Sequence, residues 1–373
     1  MIRFKTEAKK RIAVLFGGCS PEYSVSLESA YAVIIHIDRG KYLPVLIGIS
    51  DDGKWFKYDG DIKKIPENRW CNEDDCTPVA VSPDRTAHEL LIMKDGRVEK
   101  MQIDAAFPIL HGKNGEDGTV QGVFELAGIP VIGCGVLSSA LCMDKELAHR
   151  IVGTNGIKVA KSITIKSGYS EEGVKKEAMD IGFPLFVKPV RAGSSFGITK
   201  VTDEENLISA IENAFLYDST VILEEMIDGF EVGCAVLGTN NLLIGEIDEI
   251  ELSDGFFDYT EKYTLKTSDI HVPARISVGK AEEIKKTALA IYKILQCSFF
   301  ARVDMFLTPA GEIYFNEVNT IPGFTSHSRY PIMLGAIGLS FEDIINHLLE
   351  MEAVSGLQGE GEKEDVSKGT RLD

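Results

Sequence analysis

Two short apolar segments near the end of the chain carry polar residues at alternate positions. They are residues 302–306 (Arg-Val-Asp-Met-Phe) and residues 315–319 (Phe-Asn-Glu-Val-Asn). Thr-Pro-Ala-Gly at 308–311 separates them and is typical of a tight turn, so the pattern predicts a β-hairpin. The alternative interpretation is that the polar residues form a solvent-exposed face of the hairpin and have no function. The dense interleaving of apolar and polar residues favours a binding site instead.

Strand geometry assigns the polar residues of this hairpin to faces. Arg302 and Asp304 share one face of the first strand, and Glu317 and Asn319 share one face of the second. If the strands pair, one cation and three oxygen ligands meet on a common surface. Hard oxygen ligands without Cys or His suit Mg²⁺, which completes its shell with water and phosphate. The hairpin therefore predicts a metal–nucleotide site.

Composition and charge narrow the class of protein. The chain has 373 residues, of which 44% are hydrophobic, so we expect two or three domains with a sufficient core. A formal charge of −18 argues against nucleic-acid binding, which needs a basic surface. The seven scattered cysteines lack zinc spacing and are expected to be reduced thiols. With no apolar run of membrane length and no signal-peptide core, we expect a cytoplasmic protein that binds no membrane.

The order of the predicted elements divides the chain into four parts. Residues 1–133 read as an open α/β domain, in which a strand at 11–16 meets a Gly-Gly turn and a helix. Residues 134–223 begin with one predicted helix at 138–152 and read as a small α+β lobe. Residues 224–353 hold long strands and the polar hairpin. Residues 354–373 are poor in apolar residues and rich in Gly, Glu and Lys, and are expected to be a disordered tail.

Two glycine-rich loops are candidate ligand sites. Lys188 ends a predicted strand, and Gly193, Ser194, Ser195 and Gly197 follow it, so backbone N–H groups are free to bind phosphate. The spacing is not that of a Walker loop, and a hairpin without a ligand is the alternative. A second loop, His111-Gly-Lys-Asn-Gly-Glu-Asp-Gly, leaves a buried strand where open α/β sheets bind ligands.

Several charged residues have both a functional and an ordinary interpretation. Glu22 follows Gly17-Gly18 at a helix start and either meets a substrate ammonium or is a first-turn acid. Lys145 would ordinarily be solvated. Glu224 and Glu231 flank the apolar pair Met226-Ile227, and solvated strand ends are the alternative for these two acids.

Two loops within residues 224–353 are the remaining candidate sites. Residues 255–263 combine aromatic and charged residues, which is typical of a lid, and end in Lys262-Tyr263. Residues 320–331 follow the polar hairpin directly. Within them, Gly323 allows a backbone N–H to approach a reacting oxygen closely.

Together these segments resemble the ATP-grasp superfamily and, within it, the D-alanine–D-alanine ligase family, from about residue 10 to residue 349. The resemblance implies three α/β lobes, of which the first binds substrate and the other two hold ATP. It rests on six motifs: Gly17-Gly-x-Ser-x-Glu22, His111-Gly-x-x-Gly-Glu-Asp-Gly118, Met143-Asp-Lys145, Lys188-Pro-x-Arg-x-Gly-Ser-Ser195, Asp258-Tyr-x-x-Lys-Tyr263 and Glu317-x-Asn-x-x-Pro-Gly-x-Thr-Ser-His-Ser328.

The resemblance implies roles in binding ATP and metal. The phosphates would contact three lysines and the serine loop: Lys145, Lys188, Lys262, Ser194 and Ser195. The adenine amino group and the ribose would meet Glu224 and Glu231, with the backbone of Met226 and Ile227 at the adenine edge. Asp304, Glu317 and Asn319 would hold two Mg²⁺ ions, for which Mn²⁺ could substitute.

The resemblance also implies how the substrates are held. Glu22 would bind the ammonium of the first D-alanine, with His111 nearby, and the γ-phosphoryl group would pass to its carboxylate. Arg302 and the Gly323 N–H would stabilise the oxyanion that forms when the second amine attacks. Ser194 and Tyr263 would link the lid to Glu22, while Ser328 and Lys262 would receive the second carboxylate.

Two departures from housekeeping members resemble the vancomycin-resistance ligases. Phe257 stands where a Tyr is usual, and Arg329-Tyr-Pro follows Ser328. Because Lys262-Tyr263 is kept, the resemblance is closest to the VanG-type D-alanine–D-serine ligases, with Phe257 and Arg329 as candidate substrate-binding residues. A D-alanine–D-alanine ligase, another ATP-grasp ligase and a regulator without catalysis are the alternatives. The family also implies a homodimer.

Overall fold

The computed structural model of the protein describes residues 8–193, 196–252 and 268–361. Within these ranges three β-sheets carry nine α-helices, and the predicted α/β class is confirmed. None of the helices in these ranges is long and apolar enough to cross a membrane.

The first sheet has seven strands. They are β1 (Lys10–Gly17), β2 (Tyr42–Ile49), β3 (Trp55–Tyr58), β4 (Cys76–Val81), β5 (Glu89–Lys94), β6 (Arg97–Gln102) and β7 (Ala105–Pro108). Their order is β6-β5-β4-β3-β2-β1-β7, and β1 is parallel to both β2 and β7. For residues 51–104, which are polar and charged, the sequence predicts irregular chain with surface hairpins; the structure has antiparallel strands there, and four of them extend this sheet.

The carboxyl ends of the parallel strands position two candidate loops. β1 leads through the glycine turn into α1 (Tyr23–His36), and the loop after β7 leads into α2 (Thr119–Leu126). Gly17 has a φ of +90°, and a Cβ there would lie 2.1 Å from the carbonyl oxygen of Ile49. Only glycine fits this turn, since any side chain would collide with β2. The turn therefore brings the start of α1 to the sheet edge beside the His111 loop.

The second sheet has four antiparallel strands in the order β11-β10-β12-β9. They are β9 (Ser162–Lys166), β10 (Leu185–Pro189), β11 (Thr199–Val201) and β12 (Thr220–Glu225). Helices α5 (Glu171–Ile181) and α6 (Leu207–Phe215) cover one face. Alternate strand residues such as Val187 and Leu223 pack against both helices in a separate hydrophobic core.

The third sheet has six strands: β8 (Lys158–Val159), β13 (Phe230–Leu237), β14 (Leu243–Leu252), β15 (Ser268–His271), β16 (Phe300–Leu307) and β17 (Ile313–Asn319). Their order is β15-β14-β13-β16-β17-β8. Three helices share its core: α3 (Val136–Met143), α4 (Lys145–Thr154) and α7 (Val278–Ile294). Residues 136–159 thus pack with the third sheet, whereas the predicted central lobe began at residue 134.

The single helix predicted at 138–152 is wrong. Asp144 separates α3 from α4 because its backbone is extended, with φ −87° and ψ 98°. Its side chain accepts a hydrogen bond from the N–H of Leu147 at 3.0 Å and caps the second helix. Capping thus places Lys145 at the first position of α4.

The last two helices connect the first and third sheets. They are α8 (Arg329–Gly335) and α9 (Phe341–Gly361). Aromatic rings from three segments meet in one buried cluster, with ring centroids 5.5 Å apart for Phe300 and Phe324 and 6.1 Å apart for Phe107 and Phe300. The disordered tail expected from residue 354 is corrected in part, since helical backbone continues to Gly361; residues 362–373 lie outside the described ranges.

Packing around Trp70 generates a stability prediction. A Cβ on Gly48 in β2 would lie 2.2 Å from the ring of Trp70, which is fully buried. Gly48→Ala should lower the free energy of unfolding by about 1–3 kcal/mol, because overpacking forces the indole to move. Urea denaturation would measure the change. Gly279→Ala is the matched control, since a Cβ there meets no atom within 4 Å and should cause no loss. Equal stability of the Gly48→Ala protein and the wild type would contradict the tight packing.

Candidate active site

The polar hairpin forms as predicted. β16 and β17 pair antiparallel, with Arg302 opposite Asn319 and Asp304 opposite Glu317. Asp304 is 1% exposed, and the guanidinium of Arg302 donates to both of its oxygens, at 2.8 Å from Nε and 2.7 Å from Nη2. Asn319 Nδ2 donates to Asp304 Oδ2 at 2.8 Å. Burial alone would lower the pKa of Arg302, but Asp304 raises it above its ordinary value, so the guanidinium stays charged.

A cleft of about 550 Å³ lies between the second and third sheets. Phe186, Ile198, Ile250 and Phe306 supply apolar walls. Residues that are far apart in the chain and were predicted to bind nucleotide or metal line the same cleft: Lys145, Lys188, Glu224, Met226, Ile227, Glu231 and Glu317. The structure therefore brings the predicted adenine- and phosphate-binding residues into one cavity with Glu317, one of the three predicted metal ligands.

Charges in this cleft are compensated in pairs. Lys188 Nζ lies 2.5 Å from Glu224 Oε1, and both side chains are buried. Lys145 Nζ lies 3.6 Å from Glu317 Oε2 and donates to the carbonyl of Ala192 at 3.0 Å. Burial would raise the pKa of Glu224, but the positive charge of Lys188 and further contributions from His149 and Lys145 hold it below its ordinary value. Two ammonium groups are thus fixed beside the acids, where phosphates could be bound.

The His111 loop is tied to residues 321–324 by a chain of hydrogen bonds. His111 is buried, and its Nδ1 lies 2.9 Å from the carbonyl oxygen of Ile321. Its Nε2 lies 3.3 Å from Ser29 Oγ, which accepts from the N–H of Phe324 at 3.2 Å. Desolvation by burial lowers the pKa of His111, so the ring is neutral, with Nδ1 as donor and Nε2 as acceptor. The loop cannot move without breaking these bonds.

Three parts of the chain meet around Glu22, which is 7% exposed at the start of α1. A Cβ on Gly112 would lie 2.4 Å from Glu22 Oε2, and one on Gly193 would lie 2.6 Å from the same atom. The His111 loop and the glycine-rich loop of the second lobe therefore approach the carboxylate as closely as glycine allows.

Glu116 is a site residue that the sequence analysis did not single out, although it lies inside the His111 motif. One carboxyl oxygen accepts from the N–H of Gly112 and the other from the N–H of Ile321, both at 2.9 Å. Burial, and then the nearby charge of Glu22, raises the pKa of Glu116 to about 8. Glu116 thus joins the loop of the first lobe to the loop that follows the hairpin.

Arg329, predicted to contact substrate, is buried and surrounded by acids. Its Nε and Nη2 donate to Asp248 at 2.6 and 2.9 Å, and its Nη1 donates to Glu231 at 2.7 Å. A Cβ on Gly233 would lie 2.5 Å from both Arg329 Nη2 and Asp248 Oδ1, so glycine makes room for the pair. Asp248 was not singled out from the sequence. The signal that could have identified it is an acidic residue at a position of β14 that faces inward.

The loop after the hairpin holds two more predicted residues. Ser328 Oγ accepts from the N–H of Thr325 at 3.1 Å, and a Cβ on Gly323 would lie 3.0 Å from the same oxygen. The loop therefore folds back so that Gly323 and Ser328 are neighbours. Five other predicted residues lie outside the described ranges: Ser194, Ser195, Phe257, Lys262 and Tyr263.

The hairpin fits a hard divalent cation by the chemistry of its donors. Asp304 and Glu317 contribute carboxylate oxygens, and Asn319 contributes an amide oxygen on the same surface. In the described ranges no group of three or more His, Cys, Asp or Glu side chains could hold a metal by itself. A cation here would thus need the amide and ligands from a substrate, which is how Mg²⁺ is bound with phosphates.

Comparison with known proteins agrees with this geometry. Residues 11–134 match the family model of the D-ala D-ala ligase N-terminus, and residues 151–350 match that of the D-ala D-ala ligase C-terminus. The chain is 46% identical to the vancomycin B-type resistance protein VanB of Enterococcus faecalis, over 92% of this chain and 98% of that protein. It is 43% identical to the D-alanine–D-alanine ligase of Caldicellulosiruptor bescii, over 92% and 95%.

Solved structures give the same result. The VanG D-Ala:D-Ser ligase from Enterococcus faecalis is 55% identical with a TM-score of 0.86, and the match covers 92% of this chain and 100% of that one. The D-alanine-D-alanine ligase from Coxiella burnetii is 31% identical with a TM-score of 0.84, covering 95% and 96%. Fold and cleft define an ATP-dependent ligase of the ATP-grasp type. The chain belongs to the D-alanine–D-alanine ligase family.

The position of Glu116 leads to a prediction. Both oxygens of a carboxyl group can accept, also when the group is neutral and its hydrogen points away from the donor, whereas the amide nitrogen of glutamine would face an N–H donor. Glu116→Gln should therefore lower the free energy of unfolding by about 1–3 kcal/mol, the usual cost of an unsatisfied buried group. Thermal or urea unfolding would measure it, with the exposed Glu125→Gln in α2 as the control. If both variants were as stable as the wild type, the two hydrogen bonds would not hold the loops together.

Proposed function

We propose that the protein joins D-alanine to D-serine at the expense of ATP, through a D-alanyl phosphate intermediate. The observation that carries the ligase half is the cleft in which Lys145, Lys188, Glu224 and Glu317 are brought together. The D-serine half rests on 55% identity to the structure described as the VanG D-Ala:D-Ser ligase. Peptidoglycan precursors with altered ends, as expected for vancomycin resistance, would be the consequence.

The first step is phosphoryl transfer. Lys145 and Lys188 neutralise phosphate oxygens of ATP, while Glu224 and Glu231 bind the adenine amino group and the ribose. Asp304, Glu317 and Asn319 would hold Mg²⁺, which neutralises phosphate charge when bound. A carboxylate oxygen of D-alanine bonds to the γ-phosphorus as the bond to the β-phosphate oxygen breaks. The products are ADP and the acyl phosphate.

The second step forms the amide bond. Glu22 holds the ammonium of the first D-alanine, and the neutral His111 lies close to it without adding charge. The amine of the second substrate bonds to the carbonyl carbon, the C–O bond to phosphate breaks, and the amine proton passes to the departing phosphate. Arg302, whose guanidinium binds Asp304 through Nε and Nη2, and the Gly323 N–H stabilise the tetrahedral oxyanion. Ser194 and Tyr263 would close the lid and exclude water.

Recognition of the second substrate involves the loop after the hairpin. Ser328 and Lys262 bind its carboxylate, and the D-serine hydroxyl needs a polar partner nearby. Arg329 follows Ser328 directly and belongs to the buried network with Asp248 and Glu231, so it either contacts the hydroxyl or shapes the pocket together with Phe257. A D-alanine–D-alanine ligase is the second candidate, favoured by relatives that carry this name. A cytoplasmic homodimer is part of the proposal.

Glu317 tests the metal assignment. Glu317→Gln keeps the shape and removes one charge, so phosphate release from ATP should fall by at least about 100-fold while the fold survives. The matched control is Glu312→Gln, an exposed residue just before the same strand, which should keep full activity. Near-normal turnover by a folded Glu317→Gln protein would remove this residue from the metal site.

A competition experiment tests the second substrate. With equal D-Ala and D-Ser at limiting ATP and near-neutral pH, mass spectrometry should find mainly D-Ala–D-Ser. A site built to bind a hydroxyl penalises the analogue that lacks it, because its polar groups are left unpaired. D-Lactate in a parallel reaction checks for ester formation. Mainly D-Ala–D-Ala would refute the serine assignment and leave the ligase assignment intact.

A further inference from the structure

Two buried polar atoms face each other behind the nucleotide cleft. His149 Nδ1 and Glu224 Oε2 lie 3.7 Å apart, and neither has a hydrogen-bond partner within the described part of the chain. Both side chains are at least nine-tenths buried, with exposed fractions of 5% and 3%. Two unsatisfied buried atoms at one place are costly, so their proximity calls for a proton between them.

The ring of His149 is held firmly from the other side. It lies on α4, one turn after Lys145, so both side chains project from the same face of the helix. Its Nε2 lies 2.7 Å from the carbonyl oxygen of Asn316 in β17. Phe315 packs edge-on against the ring, with centroids 5.3 Å apart. Because a carbonyl only accepts, Nε2 bears a hydrogen, and Nδ1 is directed at Glu224.

The protonation of Nδ1 follows from these contacts. Without a hydrogen, its lone pair would face a carboxylate oxygen in a buried place, which is unfavourable. With a hydrogen, one charge-assisted bond satisfies both atoms after a small approach. The other oxygen of Glu224 already accepts from Lys188. Lys188 from β10 and Lys145 at the start of α4 place positive charge near this carboxylate, and His149 from α4 faces it.

We propose that His149 is a positioning residue, which donates from Nδ1 to Glu224 Oε2 and thereby orients this carboxylate for the amino group of adenine. The inference rests on the proposed use of the cleft for ATP. His149 touches neither substrate nor metal in this arrangement, and acts only through Glu224. The doubly protonated ring and Lys188 together hold both oxygens of one buried acid.

Substitution of His149 by asparagine or by glutamine tests its two contacts separately. In His149→Asn the side-chain amide would replace Nδ1 and keep a donor toward Glu224, whereas in His149→Gln the longer side chain would replace Nε2 and keep only the bond to Asn316. His149→Gln should raise KM for ATP by about 10-fold, as expected for a lost hydrogen bond to a charged group. KM for D-alanine should not change. His149→Asn should retain a KM for ATP close to that of the wild type.

Selectivity for the base supplies a second readout. Inosine triphosphate lacks the amino group, so the preference for ATP over inosine triphosphate should fall in His149→Gln and persist in His149→Asn. The control is His36→Gln, since His36 bonds to Ala32 within α1, far from the cleft in the fold. In the wild type, nitrogen NMR should show that Nδ1 of His149 bears a hydrogen as well as Nε2, with the signal identified by its absence from His149→Asn.

The outcomes discriminate between this inference and the proposed function. If His149→Asn raised KM for ATP and His149→Gln did not, the bond to Asn316 would be what matters and the proposal would be wrong. A ring with an unprotonated Nδ1 would also overturn it, without any need for a variant that folds. If Glu224→Ala left KM for ATP unchanged, the use of the cleft for ATP would fail as well. A raised KM in Glu224→Ala, with no effect of His149→Gln, would refute only the role of His149.

Discussion

The buried carboxylate of Asp304 is the constraint around which the third sheet and its neighbouring loops are arranged. At 1% exposure it must be compensated, and Arg302 and Asn319 bind it on the hairpin surface. Arg329 approaches it to 3.5 Å and binds Asp248 and Glu231 as well. One network of alternating charges therefore runs from the hairpin to Glu231 in the cleft, and each of these buried charges has at least one partner of opposite sign.

The lobes are connected in two different ways. The first and third sheets share a hydrophobic core that contains Phe107, Phe300 and Phe324, and the hydrogen bonds of His111 and Glu116 reinforce it. The four-stranded sheet instead has its own core with α5 and α6. The cleft lies where this separately packed unit meets the rest, so residues from both sides line it. Glu22 marks the point where loops from the first and second lobes converge.

Local patterns predicted the elements that depend on local physics. Alternation of polar and apolar residues located the hairpin and placed Arg302, Asp304, Glu317 and Asn319 on one surface, because strand geometry is the same wherever a strand forms. The predicted helix at 138–152 failed at Asp144, since apolar periodicity continued across a position where a cap begins a new helix. In residues 51–104 the surface hairpins were predicted, but not that their strands extend the first sheet, because that requires β3 to pair with β2.

The sequence alone determined the α/β class, the family motifs and the residue types of the cleft, because glycine turns, strand alternation and motif spacing are properties of neighbouring residues. Only the tertiary structure decided which buried polar groups contact each other. His149 meets Glu224, Asp248 meets Arg329, and Glu116 meets the backbone of Ile321 across long separations in the chain. These contacts matter for stability because the groups are buried. A polar group withdrawn from water must find its partner within the fold.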